Sequence, residues 1–222
     1  MKLFIHLKNT EKDAETLKKA LSKIDSTVDI EDAHIVIKTR SVIPGEIDLL
    51  NTDNIWEAWR RITEFLDIIN GAVIIEGIIL NHVSLVKVHY EDTSGKQQIL
   101  GNVGKMEAVL PGIRGGEPDA SKTISLALKD KAVAKAFRLF SHGLDWGTLC
   151  KIHEVIQEDA GGMSGGEFDA LTASANNSSV TGDFARHGYI KSNTPKKTLS
   201  LAKAQYLIKR TMREWIYEKL NQ

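Results

Sequence analysis

Residues 178–197, SSVTGDFARHGYIKSNTPKK, hold the chain's one adjacent Arg-His pair, Arg186-His187. A guanidinium beside a titratable imidazole can bind a phosphate and move a proton on it. Asn176, Asn177, Gly182 and Gly188 suit a tight, irregular loop around the pair. A terminal helix is expected to follow, and helix N-termini favour anions. Lys191, Lys196 and Lys197 add positive charge nearby, as do Lys203, Lys209, Arg210 and Arg213. The pair therefore reads as a catalytic or anion-binding site that could hold a phosphate, with Lys191, Lys196 and Lys197 thickening the positive charge beside it. The competing reading is structural. In it Arg186 pairs with Asp183 or a helix C-terminus, His187 caps a turn, and Phe184 anchors the loop in the core.

Other motifs carry less chemistry. GMSGG matches the nucleophile-elbow pattern around Ser164, but no strand precedes it, so it reads as a glycine linker. LGNVGKM lacks the first glycine of a phosphate loop and has Met106 in place of the magnesium-binding hydroxyl. His142, Cys150 and His153 lie close in sequence without zinc-site spacing, so neither a metal nor another cofactor is expected. Arg138 and His142 share a helical face, which suits a surface Arg and a helix-end His as well as it suits catalysis. His34, His82 and His89 fall on strand-like segments, where a hydrogen-bonded structural histidine is the default.

These residues need elements to hold them. Residues 120–142 read as one helix, 145–160 as a second ending at Gly161, and 167–177 as a shorter third. The last, from Thr198, places Leu201, Ile208, Met212 and Trp215 on one face. Four helices with short links predict a bundle over 120–222. Before them, KLFIHL and AHIVIKTR read as strands around a helix with Leu17, Leu21 and Ile24 at helical spacing. Ile55, Trp59, Ile62, Leu66 and Ile69 predict a second helix, ending at Gly71. AVIIEGIIL then reads as a strand, and VSLVKVHY and QQILGNVGKMEAVL as a hairpin about the Gly-containing turn EDTSGK. The fold class is α+β: a small antiparallel sheet with helices over 1–110, then a mostly helical bundle, divided at Pro111–Ala120. Trp59, Ile62, Leu66, Trp146 and Trp215 are the expected core anchors.

The 222 residues carry no net charge, so the whole molecule has no field for nucleic acid or membrane. The halves differ. Residues 1–119 have 14 Lys/Arg against 19 Asp/Glu, and residues 120–222 have 15 against 10, net −5 and +5. That asymmetry suits either different partners or mutual attraction. With one cysteine, no signal-peptide pattern and no long apolar run, a cytoplasmic protein without membrane contact is expected.

The second half resembles a group of uncharacterised bacterial proteins. Asp145-Trp146 with Leu149, Ala175-Asn176, Gly182, Ala185-Arg186-His187, Pro195 and Trp215 carry the likeness, with Phe65–Gly71 in the first half. The helical half is in turn similar to the HEPN superfamily of bundles. The resemblance implies an RNA-directed protein of a toxin or antiviral system, many members being metal-independent ribonucleases. Those cleave with an Arg and a His that have four to six residues between them. Here Arg138 and His142 have three residues between them, and Arg186 and His187 have none. Two readings follow: a HEPN-like protein acting on or binding RNA, which the resemblance places at Arg186 and His187 with Lys191, Lys196 and Lys197 as RNA contacts, and a non-enzymatic subunit binding a protein partner or a second copy of itself. A third puts a small-molecule pocket between the halves.

Overall fold

The computed structural model describes residues 2–8, 11–23, 28–31, 34–39, 52–77, 83–91, 94–102, 120–161, 165–186 and 195–222. The fold is α+β. The chain divides into two units, Met1–Ser125 and Leu126–Gln222. The division falls within a helix, Ala120–Lys129; the expected boundary at Pro111–Ala120 lies, apart from Ala120, outside the described residues.

The first unit contains β1 (Lys2–Lys8), α1 (Glu11–Ser22), β2 (Val28–Glu31), β3 (His34–Thr39), α2 (Thr52–Ile75), β4 (Ser84–Glu91) and β5 (Gln97–Asn102). All pairings are antiparallel, in the order β2-β3-β1-β4-β5. Each helix thus joins two strands separated by a third, the split β-α-β arrangement, with β5 added at the edge. Alternation sets the faces. Ile5 pairs with Ile37 and Val88, and Leu7 with Leu85, so one face is apolar and buried. Phe4 and His6 point the other way. The Phe4 ring stacks on His89 with centroids 4.5 Å apart, and His6 Nε2 lies 3.0 Å from His89 Nδ1. His89 is a hydrogen-bonded histidine, as expected; His82 lies outside the described residues.

Two of the expected elements differ here. α2 does not end at Gly71 but runs to Ile75, so Ala72–Ile75 is helix and not strand. Every residue from Ile68 to Glu76 is buried. An apolar run buried all round has no period to separate helix from strand. The left-handed terminator is Gly77, with φ +68°, whose N–H donates to the Ile74 carbonyl. Asn70 donates to the Val83 carbonyl and accepts its N–H, tying α2 to the start of β4. The inward face of α2 is Ala58, Ile62, Phe65 and Ile69; Trp59 and Leu66 lie beside it and are only half-buried.

The second expectation concerns residues 120–142, which form two helices, α3 (Ala120–Lys129) and α4 (Lys131–Ser141). Asp130 breaks them. Its backbone is extended, and its carboxylate accepts the N–H groups of Ala132 and Val133 as an N-cap. The second unit continues with α5 (Trp146–Ala160), α6 (Glu167–Ala175), α7 (Ser178–Thr181) and α8 (Leu201–Leu220). α5 is central, packing against α4, α6 and α8. Asp145 caps it through the Thr148 N–H. Trp146 and Trp215 are buried, together with Phe137, Phe140, Ile208 and Met212. Leu201, expected on the inward face of α8, is exposed.

Candidate functional site

Arg186 is placed by a short chain of local devices. Asn177 caps α7, its Oδ1 accepting the Ser179 N–H at 2.9 Å and the Ser179 hydroxyl at 2.6 Å. Gly182, at φ +60°, then turns the backbone into a single 3₁₀ turn, Gly182–Phe184. Arg186 emerges with its N–H donating to the Ala175 carbonyl at 2.7 Å. Its guanidinium lies 2.5 Å from Glu154 Oε1 and hydrogen-bonds the Cys150 thiol. Cys150 and Glu154 are four apart on α5 and share a face. Burial pushes the thiol pKa up, and the Arg186 charge offsets only part of that rise. The thiol is therefore protonated at neutral pH and a poor nucleophile.

Arg186 thus staples the turn to α5 and to the end of α6. Its side-chain partner is Glu154 rather than Asp183, and its backbone N–H meets the C-terminal end of α6, as the structural reading expected of a helix C-terminus. Phe184 does not anchor the loop: it is 77% exposed. His187 and Lys191 lie outside the described residues, as does Ser164. Among the described residues, no three His, Cys, Asp or Glu side chains come together to hold a metal. His153 is buried on α5, with its ring stacked on Phe168 at 4.7 Å. His142 is the exposed C-cap of α4, one turn beyond Arg138.

α8 carries five of the fifteen basic residues of the second half, with Ser200 as its N-cap. Most of their charge has an intramolecular role. Lys219 Nζ lies 2.6 Å from Asp130 Oδ2 and 2.7 Å from Asp159 Oδ2. Arg210 reaches Glu167 at 3.1 Å and Glu214 at 4.0 Å. Arg213 lies over the Tyr217 ring and Lys209 near the Phe140 ring. Lys209 is half-buried, and burial pushes its pKa down. Lys196, Lys197 and Lys203 are exposed, and among the described residues their side chains have no hydrogen-bond or ion-pair partner.

A groove of about 440 Å³ runs beside the first half of α8. Leu199, Ala202 and Leu207 give it an apolar lining with the ring of Tyr206, which is 59% exposed. Lys203, Arg210 and Glu167 supply its charges. Two bonds set its walls. The Leu199 N–H donates to Ser174 Oγ at 2.8 Å, fixing the approach to α8 against α6. The Gln205 amide donates to the Leu144 carbonyl at 2.9 Å, fixing α8 beside the start of α5.

Sequence reasoning missed this groove and the Arg186–Glu154 pair. The available signal was the outer face of α8, where Ala202, Lys203, Tyr206 and Arg210 recur at helical spacing and mix apolar with basic side chains. No protein-family model, curated protein or solved structure matches the chain.

Proposed function

We propose that this chain is a non-enzymatic interaction protein whose second unit holds a protein partner. The observation that carries this reading is the position of Arg186. A catalytic Arg must offer its guanidinium to a substrate phosphate, whereas this one is held by Glu154, Cys150 and its own backbone bond to Ala175. On α8, Lys219 and Arg210 likewise contact carboxylates, and Lys209 and Arg213 lie against aromatic rings. Among the described residues the unit also presents an apolar groove with charged edges, the usual composition of a protein-docking surface.

The RNA-directed reading implied by the HEPN-like resemblance stands as the second one. It is favoured by Lys196 and Lys197, exposed and without partners among the described residues, just ahead of α8. One assay separates the two. Wild type, Arg186→Ala and His187→Ala are incubated with single-stranded and hairpin RNA, after circular dichroism confirms that each is folded. The interaction reading expects no cleavage by any of the three and no salt-sensitive RNA binding. Cleavage by wild type that disappears in a folded Arg186→Ala or His187→Ala variant would make the protein a ribonuclease and overturn the proposal.

A further inference from the structure

The groove has a direction, a length and a charge pattern, and together these select one kind of occupant. Its α8 residues are Ala202, Lys203, Tyr206, Leu207 and Arg210, steps of one, three and four that follow a single helical stripe. The groove therefore runs along the α8 axis. Its two cations, Lys203 and Arg210, stand seven residues apart, or about 10.5 Å along the helix. Between them lie the Tyr206 ring and the Leu207 side chain.

The two cations are available to different degrees. Lys203 has no partner among the described residues. Arg210 contacts Glu167 at 3.1 Å and Glu214 at 4.0 Å, but the three side chains are 45%, 65% and 64% exposed. An ion pair that exposed is weak and exchanges readily. Glu167 also sits in the first turn of α6, where the helix dipole stabilises it without Arg210. A carboxylate arriving on a partner can therefore take Arg210 from Glu167 at small cost.

Resting on the interaction reading above, we infer that the groove receives an acidic amphipathic helix from a partner protein. That helix carries two carboxylates seven residues apart, with apolar side chains three and four residues after the first. Two turns of helix match the span from Lys203 to Arg210, and the intervening apolar pair meets Tyr206 and Leu207.

The test uses the full chain and a fluorescein-labelled, alanine-based helical peptide with two Glu seven apart and Leu at the two intervening positions. A matched peptide with Lys in place of Glu is the control. Binding is read by fluorescence anisotropy for wild type, Ala202→Arg, which puts a long side chain into the groove from an exposed position, and Lys203→Glu with Arg210→Glu. Thermal melts establish that the variants fold. The acidic peptide should bind wild type and lose about tenfold or more in affinity on Ala202→Arg. The charge-reversed variant should prefer the Lys peptide.

No binding of the acidic peptide, or equal binding to wild type and folded Ala202→Arg, overturns the inference. So does a wild-type dimer in sedimentation that Ala202→Arg dissolves, because the groove would then belong to a second copy of the chain. The same protein samples are titrated with labelled RNA. Failure of the peptide with no RNA binding overturns this inference alone. RNA cleavage, or RNA binding that the peptide cannot displace, overturns the interaction reading on which it rests.

Discussion

The two halves of α8 are built from similar residues and used differently. In the C-terminal half, Thr211, Met212, Trp215 and Ile216 are buried. The Trp215 indole N–H donates to Asp159 at 3.0 Å, and Lys219 reaches both Asp159 and Asp130. Those contacts join the end of the chain to the end of α5 and the start of α4. In the N-terminal half only Ala204, Leu207 and Ile208 are buried, while Leu201, Ala202, Lys203 and Tyr206 face outward. The difference teaches that one amphipathic helix can close a core with one part and offer an apolar-basic face with the other. Substitutions should therefore sort by half: stability at one end, binding at the other.

The largest effect is expected at Trp215. Trp215→Ala removes a side chain that is only 1% exposed and leaves Asp159 without its indole donor. Chemical denaturation should show a loss of about 3–5 kcal/mol. An unchanged melting temperature would break the comparison at once.

Asp130 comes next. Asp130→Ala loses an N-cap and an ion pair, and the cap alone is worth about 0.5–2 kcal/mol. Its pH signature is specific. Burial tends to raise the Asp130 pKa, but the Lys219 bond and the Val133 and Ala132 N–H groups win and hold it below the usual carboxylate range. Burial tends to lower the Lys219 pKa, yet Asp130 and Asp159 hold it above the usual lysine range. The Asp130 contribution is present above an unfolded pKa of about 3.9 and is lost as pH falls through the lower folded value. The Lys219 contribution is present below about 10.4 and is lost as pH rises through the higher folded value. The stability gap between wild type and Lys219→Met should thus be widest between those limits and shrink at both extremes. A gap independent of pH would mean that the pair does not interact in solution.

Cys150 gives a chemical check on the Arg186 cluster. A buried, protonated thiol should react with a disulfide reagent far more slowly in the native protein than in denaturant. Equal rates would place the thiol at the surface. The smallest effect on stability belongs to the groove. Tyr206→Ala should shift unfolding by no more than about 0.5 kcal/mol, because the ring is mostly exposed. A loss of several kcal/mol there would make the N-terminal half of α8 as structural as the C-terminal half.

Local patterns in the sequence were readable wherever one element decided them. β1, α1, β3, β4, α5, α6 and α8 follow their periodicities, and the α+β class followed from them, whereas the four-residue α7 formed where a loop was expected. β2, four residues long, was missed because VDIE is too short to show alternation. Ala72–Ile75 failed because burial on all sides erases the period, and the α3–α4 break failed because a capping Asp looks like any surface charge until the backbone turns there. Of the candidate site, Arg186 was legible as a residue with a role, but its partner was not. Glu154 lies 32 positions away, and only the packing of α7 against α6, and of α6 against α5, brings the two together.

The account depends most on Arg186 being held rather than offered. A double-mutant cycle on Arg186→Ala and Glu154→Ala, read by urea denaturation, measures that directly. For a pair this partly exposed the expected coupling is about 0.5–1 kcal/mol, with both single variants folded and neither wild type nor variants cleaving RNA. Zero coupling, together with RNA cleavage that vanishes in folded Arg186→Ala, would contradict the account and return Arg186 to the catalytic role that its place beside His187 suggests.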